Sequence, residues 1–111
     1  MFWREDNKLV YVMYGDGTWQ SFEDTWEEGD PEYSCPDGRT QAVTPPTPKR
    51  GFGKVWCAQP AVRNRLGNAT SDEIGNNRWV QDFENGVMFL IPERGGRPVT
   101  LVETTGRWFE P

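Results

Sequence analysis

The side chains able to do chemistry are few, and their spacing narrows what that chemistry is. The chain has no histidine, so the Ser–His and Cys–His pairs that activate a nucleophile are excluded. No Gly-x-x-x-x-Gly-Lys-Ser/Thr run occurs, and a phosphate-cradling loop of that kind goes with it. Two carboxylates, Asp82 and Glu84, alternate with Phe83 and are expected to share one face of a strand. A glycosidase needs at least such a pair. A chain of 111 residues leaves little room for the deep cleft in which the pair would work, and a solvated polar strand edge is the better reading. No catalytic residue is assigned, and the expected class is not an enzyme.

Cys35 and Cys57 are an even count in a small, loop-rich chain, the pattern of a disulfide. Cys35 lies in a polar stretch where a buried thiol has no packing reason to be. A bridge closing that stretch onto the following helix stabilises by about 3 kcal/mol through loop-closure entropy. Two cysteines without histidine do not make a zinc site. The acidic run Trp26 to Glu32 lacks the ligand spacing of a calcium loop and reads as solvated. Neither metal nor cofactor is expected. Asn68-Ala69-Thr70 forms a glycosylation sequon, relevant only in a host that uses it.

The remaining chemistry is aromatic. Six Trp, six Phe and three Tyr make up 14% of the chain, and most of them must build the core, because large rings bury the most area per residue. Trp3, Tyr11, Trp19, Trp79 and Trp108 are the candidates for a minority on the surface, where flat rings stack on sugars. Lys and Arg total 12 against 17 Asp and Glu, a formal charge of −5, which opposes phosphate binding and makes nucleic acid an improbable partner. There is no apolar run of 18 residues, so no helix spans a membrane. Met1 to Asp6 lacks the charged start and apolar middle of a signal peptide. A secreted form is therefore expected to have lost its signal or to belong to a longer parent.

The elements that position these residues are mainly β. Trp79 to Phe83 alternates apolar and polar, the period of a half-buried strand. Asn85-Gly86 then offers two residues that tolerate positive φ in a hairpin turn. Val87 to Ile91 is continuously apolar, as a strand buried on both faces would be. Pro98 to Glu103 is a third strand, and Gly106-Arg107-Trp108 turns into a fourth, completing a meander. Near the N-terminus, Met1 to Trp3 is a strand stub. Leu9 to Tyr14 is rich in β-formers, and Thr18 to Phe22 returns after Gly15-Asp16-Gly17.

Residues 51–73 are the helical zone. Phe52, Val55 and Trp56 lie on one helical face. Pro60 ends that helix and starts another, in which Val62 and Leu66 share a face and Gly67 caps the end. Thr70 to Glu73 has capping-box spacing. Thr44-Pro45-Pro46-Thr47-Pro48 is a stiff, extended linker.

The N-terminal strands repeat the C-terminal ones. Met1-Phe2 matches Met88-Phe89, and Gly17-Thr18-Trp19 matches Gly106-Arg107-Trp108, self-similarity that marks a repeat architecture. The first copy lacks a counterpart of Trp79 to Phe83. Either it docks beside the Arg78–Trp108 meander, or a neighbouring molecule supplies the missing strand; the second route is the one expected here, because the gap falls at a strand boundary. The segments are thus a partial repeat (residues 1–24), an acidic and proline-rich linker (25–50) and a full repeat (51–111). The fold class is α+β, mainly β with a short helical segment, built from antiparallel hairpins and a meander.

Gly51-Phe52-Gly53-Lys54-Val55-Trp56, then Pro60 and Val62-Arg63-Asn64-Arg65-Leu66-Gly67, Ala69-Thr70-Ser71-Asp72-Glu73, the Gln81-to-Met88 hairpin and a closing Gly106-Arg107-Trp108 together resemble the LGFP-type repeat. Such units recur in surface and secreted proteins of filamentous bacteria such as the Chloroflexi. The resemblance covers residues 51–111 as a full unit and 1–22 as the tail of a preceding one. It departs at Asn68, where the pattern places an aromatic residue after Leu66-Gly67. The resemblance implies a non-catalytic extracellular or cell-envelope module, often tandem, that anchors or binds at the cell surface. The partner would be a cell-wall or surface glycan such as peptidoglycan. The alternative is a structural subunit that joins copies of itself, or repeats of a parent array, by strand exchange.

Overall fold

A computed structural model describes residues 1–32, 48–69, 79–90 and 97–110. The fold is mainly β with two short helices, as its sequence predicts. The strands are β1 (Phe2–Arg4), β2 (Leu9–Met13), β3 (Trp19–Glu23), β4 (Trp79–Phe83), β5 (Gly86–Leu90), β6 (Pro98–Val102) and β7 (Arg107–Phe109), with α1 (Arg50–Ala58) and α2 (Pro60–Leu66) between β3 and β4. They form a three-stranded sheet, β1-β2-β3, and a four-stranded sheet, β4-β5-β6-β7. Both are meanders, as hairpin-length connections require.

Two compact units divide the chain. The first holds Met1–Val12 and Ser21–Ile74, and the second Met13–Gln20 and Gly75–Pro111.

In the first unit, β1 pairs antiparallel with β2, Phe2 opposite Tyr11 and Arg4 opposite Leu9. Val10, Tyr11 and Val12 are all buried, so β2 is covered on both faces. Phe2 stacks on Tyr11 with ring centroids 5.4 Å apart. Arg4 forks onto Asp6, Nε and Nη2 donating at 2.6 and 2.9 Å. That hydrogen bond, ahead of the guanidinium's charge, holds the Asp6 carboxyl below its ordinary range. Trp56 is buried on α1, and its indole N–H donates to the Gly67 carbonyl at 2.9 Å, which ties the end of α2 to α1. The Arg63 guanidinium lies over the Trp56 ring, 4.4 Å from its centre. Pro60 opens α2 as expected, its missing N–H costing nothing in the first turn.

The acidic stretch after β3 is exposed but anchored. Trp26 Nε1 donates to Pro31 O at 2.9 Å, Lys54 Nζ reaches Thr25 O at 3.1 Å, and Arg50 Nη2 meets Glu32 Oε1 at 3.2 Å. Residues 25–32 are therefore a loop held to α1. The linker prolines 45 and 46, the capping box from Thr70 to Glu73 and Ile91 lie outside the described residues.

In the second unit, β5 and β6 carry the core. Val87 faces Leu101 and Phe89 faces Val99, and all four are buried. Met88 and Leu90, on the opposite face of β5, are only half-buried, so β5 is not buried on both faces as its unbroken apolar run suggests.

Two further expectations are corrected. β4 is a strand, but every one of its residues is exposed, so it is not half-buried. It sits at the sheet's edge, where alternation has no second layer to face. The turn also shifts. Phe83 pairs with Gly86, so the connecting residues are Glu84 and Asn85, and neither Asn85 nor Gly86 is among the positive-φ residues. Glu84 consequently lies in the turn and does not share a strand face with Asp82.

Candidate functional site

Paired residues in an antiparallel sheet project to the same side, so the register defines both faces of the four-stranded sheet. Val80, Asp82, Val87, Phe89, Val99, Leu101 and Trp108 share the inner face. The outer face runs in three rows. Trp79 is followed by Leu90 and Pro98, Gln81 by Met88, Thr100 and Phe109, and Phe83 by Gly86, Val102 and Arg107. Trp79 is 73% exposed, Phe83 56% and Phe109 50%. Four residues of rise separate Trp79 from Phe83, about 13 Å, and three strand spacings separate β4 from β7, about 14 Å. The rings thus stand at the corners of an open platform whose floor is half-buried Met88, Leu90, Thr100 and Val102. Isolated exposed apolar residues need no explanation, whereas a contiguous set is the mark of an interaction surface.

The five aromatic residues singled out from sequence do not form one surface. Tyr11 is 5% exposed and stacked on Phe2, with its hydroxyl accepting from Asn7 Nδ2 at 2.9 Å. It is a core residue, and it offers a ligand no face. Trp3 is exposed on β1 of the first unit and takes no part in the sheet that carries Trp79. Trp19 and Trp108 are half-buried, with both indole N–H groups already donating to backbone carbonyls. Only Trp79 lies on the platform. Phe83 and Phe109 belong there and were not singled out. Phe83 was legible as the residue in phase with Trp79 along β4, but Phe109 joins them only through its pairing with Thr100.

Trp19 and Trp108 do something else. They clasp the two copies of the Gly-x-Trp turn together within the second unit. Thr18 bridges Arg107 antiparallel, and these are equivalent positions of the repeat. On one side of that bridge Trp19 N–H donates to Gly106 O at 3.0 Å, and on the other Trp108 N–H donates to Gly17 O at 2.9 Å. The indoles repeat the exchange: Trp19 Nε1 donates to Val102 O at 3.2 Å and Trp108 Nε1 to Tyr14 O at 2.8 Å. Each accepting carbonyl also takes the N–H of its own turn's glycine, Gly106 to Val102 at 3.0 Å and Gly17 to Tyr14 at 3.1 Å. Gly17 and Gly106 both have positive φ, 87° and 66°, which only glycine adopts without strain. The arrangement is a local two-fold between repeat copies. It docks the β2–β3 turn against the β6–β7 turn within one chain.

Asp82 is exposed on β4 and Glu84 in the turn. Among the described residues no group of three or more His, Cys, Asp or Glu is placed to hold a metal. Asn68 is exposed, and Thr70 of its sequon lies outside the described residues. Cys57, half-buried near the end of α1, is disulfide-bonded and not a free thiol; Cys35 lies outside the described residues. Under denaturing, non-reducing conditions neither cysteine is expected to take an alkyl group, and after reduction the mass should rise by two. Labelling without reductant would remove the Cys35–Cys57 pairing and the oxidising compartment it implies.

Comparison with known proteins finds no match: no family model, no curated protein and no solved structure.

Proposed function

We propose that this chain is a non-catalytic module of the extracellular space or cell envelope that binds a surface glycan, peptidoglycan included, across the outer face of its four-stranded sheet. The observation that carries this reading is the platform formed by Trp79, Phe83 and Phe109, three exposed rings on one sheet face. A flat, exposed array of rings accommodates an extended sugar chain by stacking and needs no cavity. The lack of a histidine-based nucleophile is in keeping with a passive role. A disulfide-bonded Cys57 fits an oxidising compartment. The resemblance to the LGFP-type repeat, carried by the residues quoted above, points the same way.

The test is co-sedimentation with purified peptidoglycan, together with calorimetric titration of soluble oligosaccharides. Trp79→Ala is expected to weaken binding at least tenfold, roughly 1.4 kcal/mol. Because Trp79 is exposed, its loss should leave stability within about 0.5 kcal/mol. Undiminished binding by the variant, or none by the wild-type chain, would remove the glycan reading.

A second reading, a structural subunit joined by strand addition, draws on a different observation. β4 is an edge strand exposed along its whole length, and such an edge is a template for another strand.

A further inference from the structure

We propose that β4 pairs antiparallel with β4 of a second copy of this chain, about a two-fold axis passing through Gln81. The proposal stands on the strand edge and does not depend on the glycan reading.

The strand Trp79-Val80-Gln81-Asp82-Phe83 is self-complementary in this one register. Reversing it about Gln81 sets Trp79 opposite Phe83 of the second copy, and Phe83 opposite that copy's Trp79. Two aromatic cross-strand pairs result, both on the outer face, where these rings are 73% and 56% exposed in the single chain. Cross-strand aromatic pairs are among the more favourable in sheets. Gln81 meets its own copy on the axis, amide against amide, each able to donate and accept. On the inner face Val80 meets Asp82 of the second copy.

Charge selects this register over its neighbour. Asp82 is the one charged residue on β4. Moving the axis one residue to Asp82 would place two carboxylates directly opposite, which is destabilising. With the axis at Gln81 they lie on a diagonal, about 8 Å apart and in water, where salt screens them. The other neighbouring register, centred on Val80, leaves Phe83 without an opposing ring.

Among the described residues this edge carries none of the usual blunting devices, although Gln81 Nε2 donates to the Asp82 carbonyl at 3.3 Å. β4 has no proline, no lysine and no bulge in its pairing with β5, and all five residues are exposed, so no layer need be displaced. The rows of the outer face simply continue into the second copy, giving an eight-stranded sheet with closed two-fold symmetry. This differs from head-to-tail addition, which would propagate into a fibre. A five-residue strand pair with four rings buries a small area, so the dimer belongs to the weak, concentration-dependent class. The formal charge of −5 on each chain opposes association, and added salt should therefore strengthen it.

The test uses the full chain in sedimentation equilibrium, with Gln81→Lys, Gln81→Glu and an equal mixture of the two. Gln81 is exposed, so either substitution leaves the fold intact, and circular dichroism checks this. The wild type should dimerise with rising concentration, more strongly in salt. Each variant alone places like charges face to face on the axis and should associate roughly tenfold more weakly. The mixture pairs Lys with Glu and should recover the dimer as a heterodimer, an outcome that misfolding cannot produce. A wild type monomeric up to about 1 mM, single variants that dimerise as well as the wild type, or a mixture no stronger than either variant would each overturn the proposal.

Discussion

Gly86→Ala is expected to destabilise the chain by about 3 kcal/mol, the upper part of the range for forcing atoms into a filled space. A β-carbon built on Gly86 collides with the Leu101 carbonyl oxygen, and it is also crowded by the Leu101 carbonyl carbon and the Val102 Cα. Those are backbone atoms of the last two pairs of the β5–β6 ladder, Gly86 with Val102 and Val87 with Leu101. No flexible side-chain end can move aside, so the strands themselves must part. The entropic gain from replacing glycine, under about 1 kcal/mol, does not offset this. Gly15→Ala is the matched control. Gly15 has nothing within reach of an added β-carbon and no positive φ, so its change should stay within about 0.5 kcal/mol. Urea denaturation should show the midpoint fall for Gly86→Ala alone, and a thermal scan a drop of about 10 °C. Equal effects of the two substitutions would show that close strand approach is not what Gly86 provides.

The same glycine shows where the sequence was legible and where it was not. Asn85-Gly86 announces a hairpin, and a hairpin is there. The dipeptide does not say which two residues occupy the turn, because glycine serves either for positive φ or for close backbone approach, and only the strand beyond it decides between them. Strands and helices were otherwise readable from period and punctuation: Pro60 and Gly67 bound α2, and Gly17 and Gly106 mark the two repeated turns. Burial was less so. The alternation of β4 promises a covered face, yet Val80 and Asp82 lie at the sheet edge beside Val87 and Phe89, where alternation continues without a layer to meet. Tyr11 sits in a strand that is apolar throughout and Trp79 in one that alternates with Gln81 and Asp82, but alternation alone does not say whether its apolar face is covered. The platform needed the register, because Phe109 reaches it across three strands.

Trp19→Ala and Trp108→Ala are each expected to cost about 3 kcal/mol, the low end for losing a large ring from a packed position, because both rings are only half-buried. The informative quantity is how the two losses combine. The clasp closes through four hydrogen bonds arranged about the Thr18–Arg107 bridge, and each tryptophan supplies one backbone and one indole donor. If the turns engage as a unit, removing either ring already frees the other turn, and the double variant should fall well short of about 6 kcal/mol. The shortfall is the coupling, which for residues in one network runs to about 0.5–3 kcal/mol. Trp19→Phe and Trp108→Phe separate ring from donor. Each keeps most of the packing and deletes one indole N–H, and the abandoned carbonyl still accepts from its own turn's glycine. The expected cost is therefore near the low end for a single hydrogen bond, about 0.5 kcal/mol. Amide hydrogen exchange supplies the second readout. Protection at the Trp19 and Trp108 backbone N–H groups should be lost together in either alanine variant, although only one residue has changed. Strict additivity, with exchange rising at the mutated turn alone, would mean that the two repeat copies merely lie side by side, and that the reciprocal bonds are independent contacts.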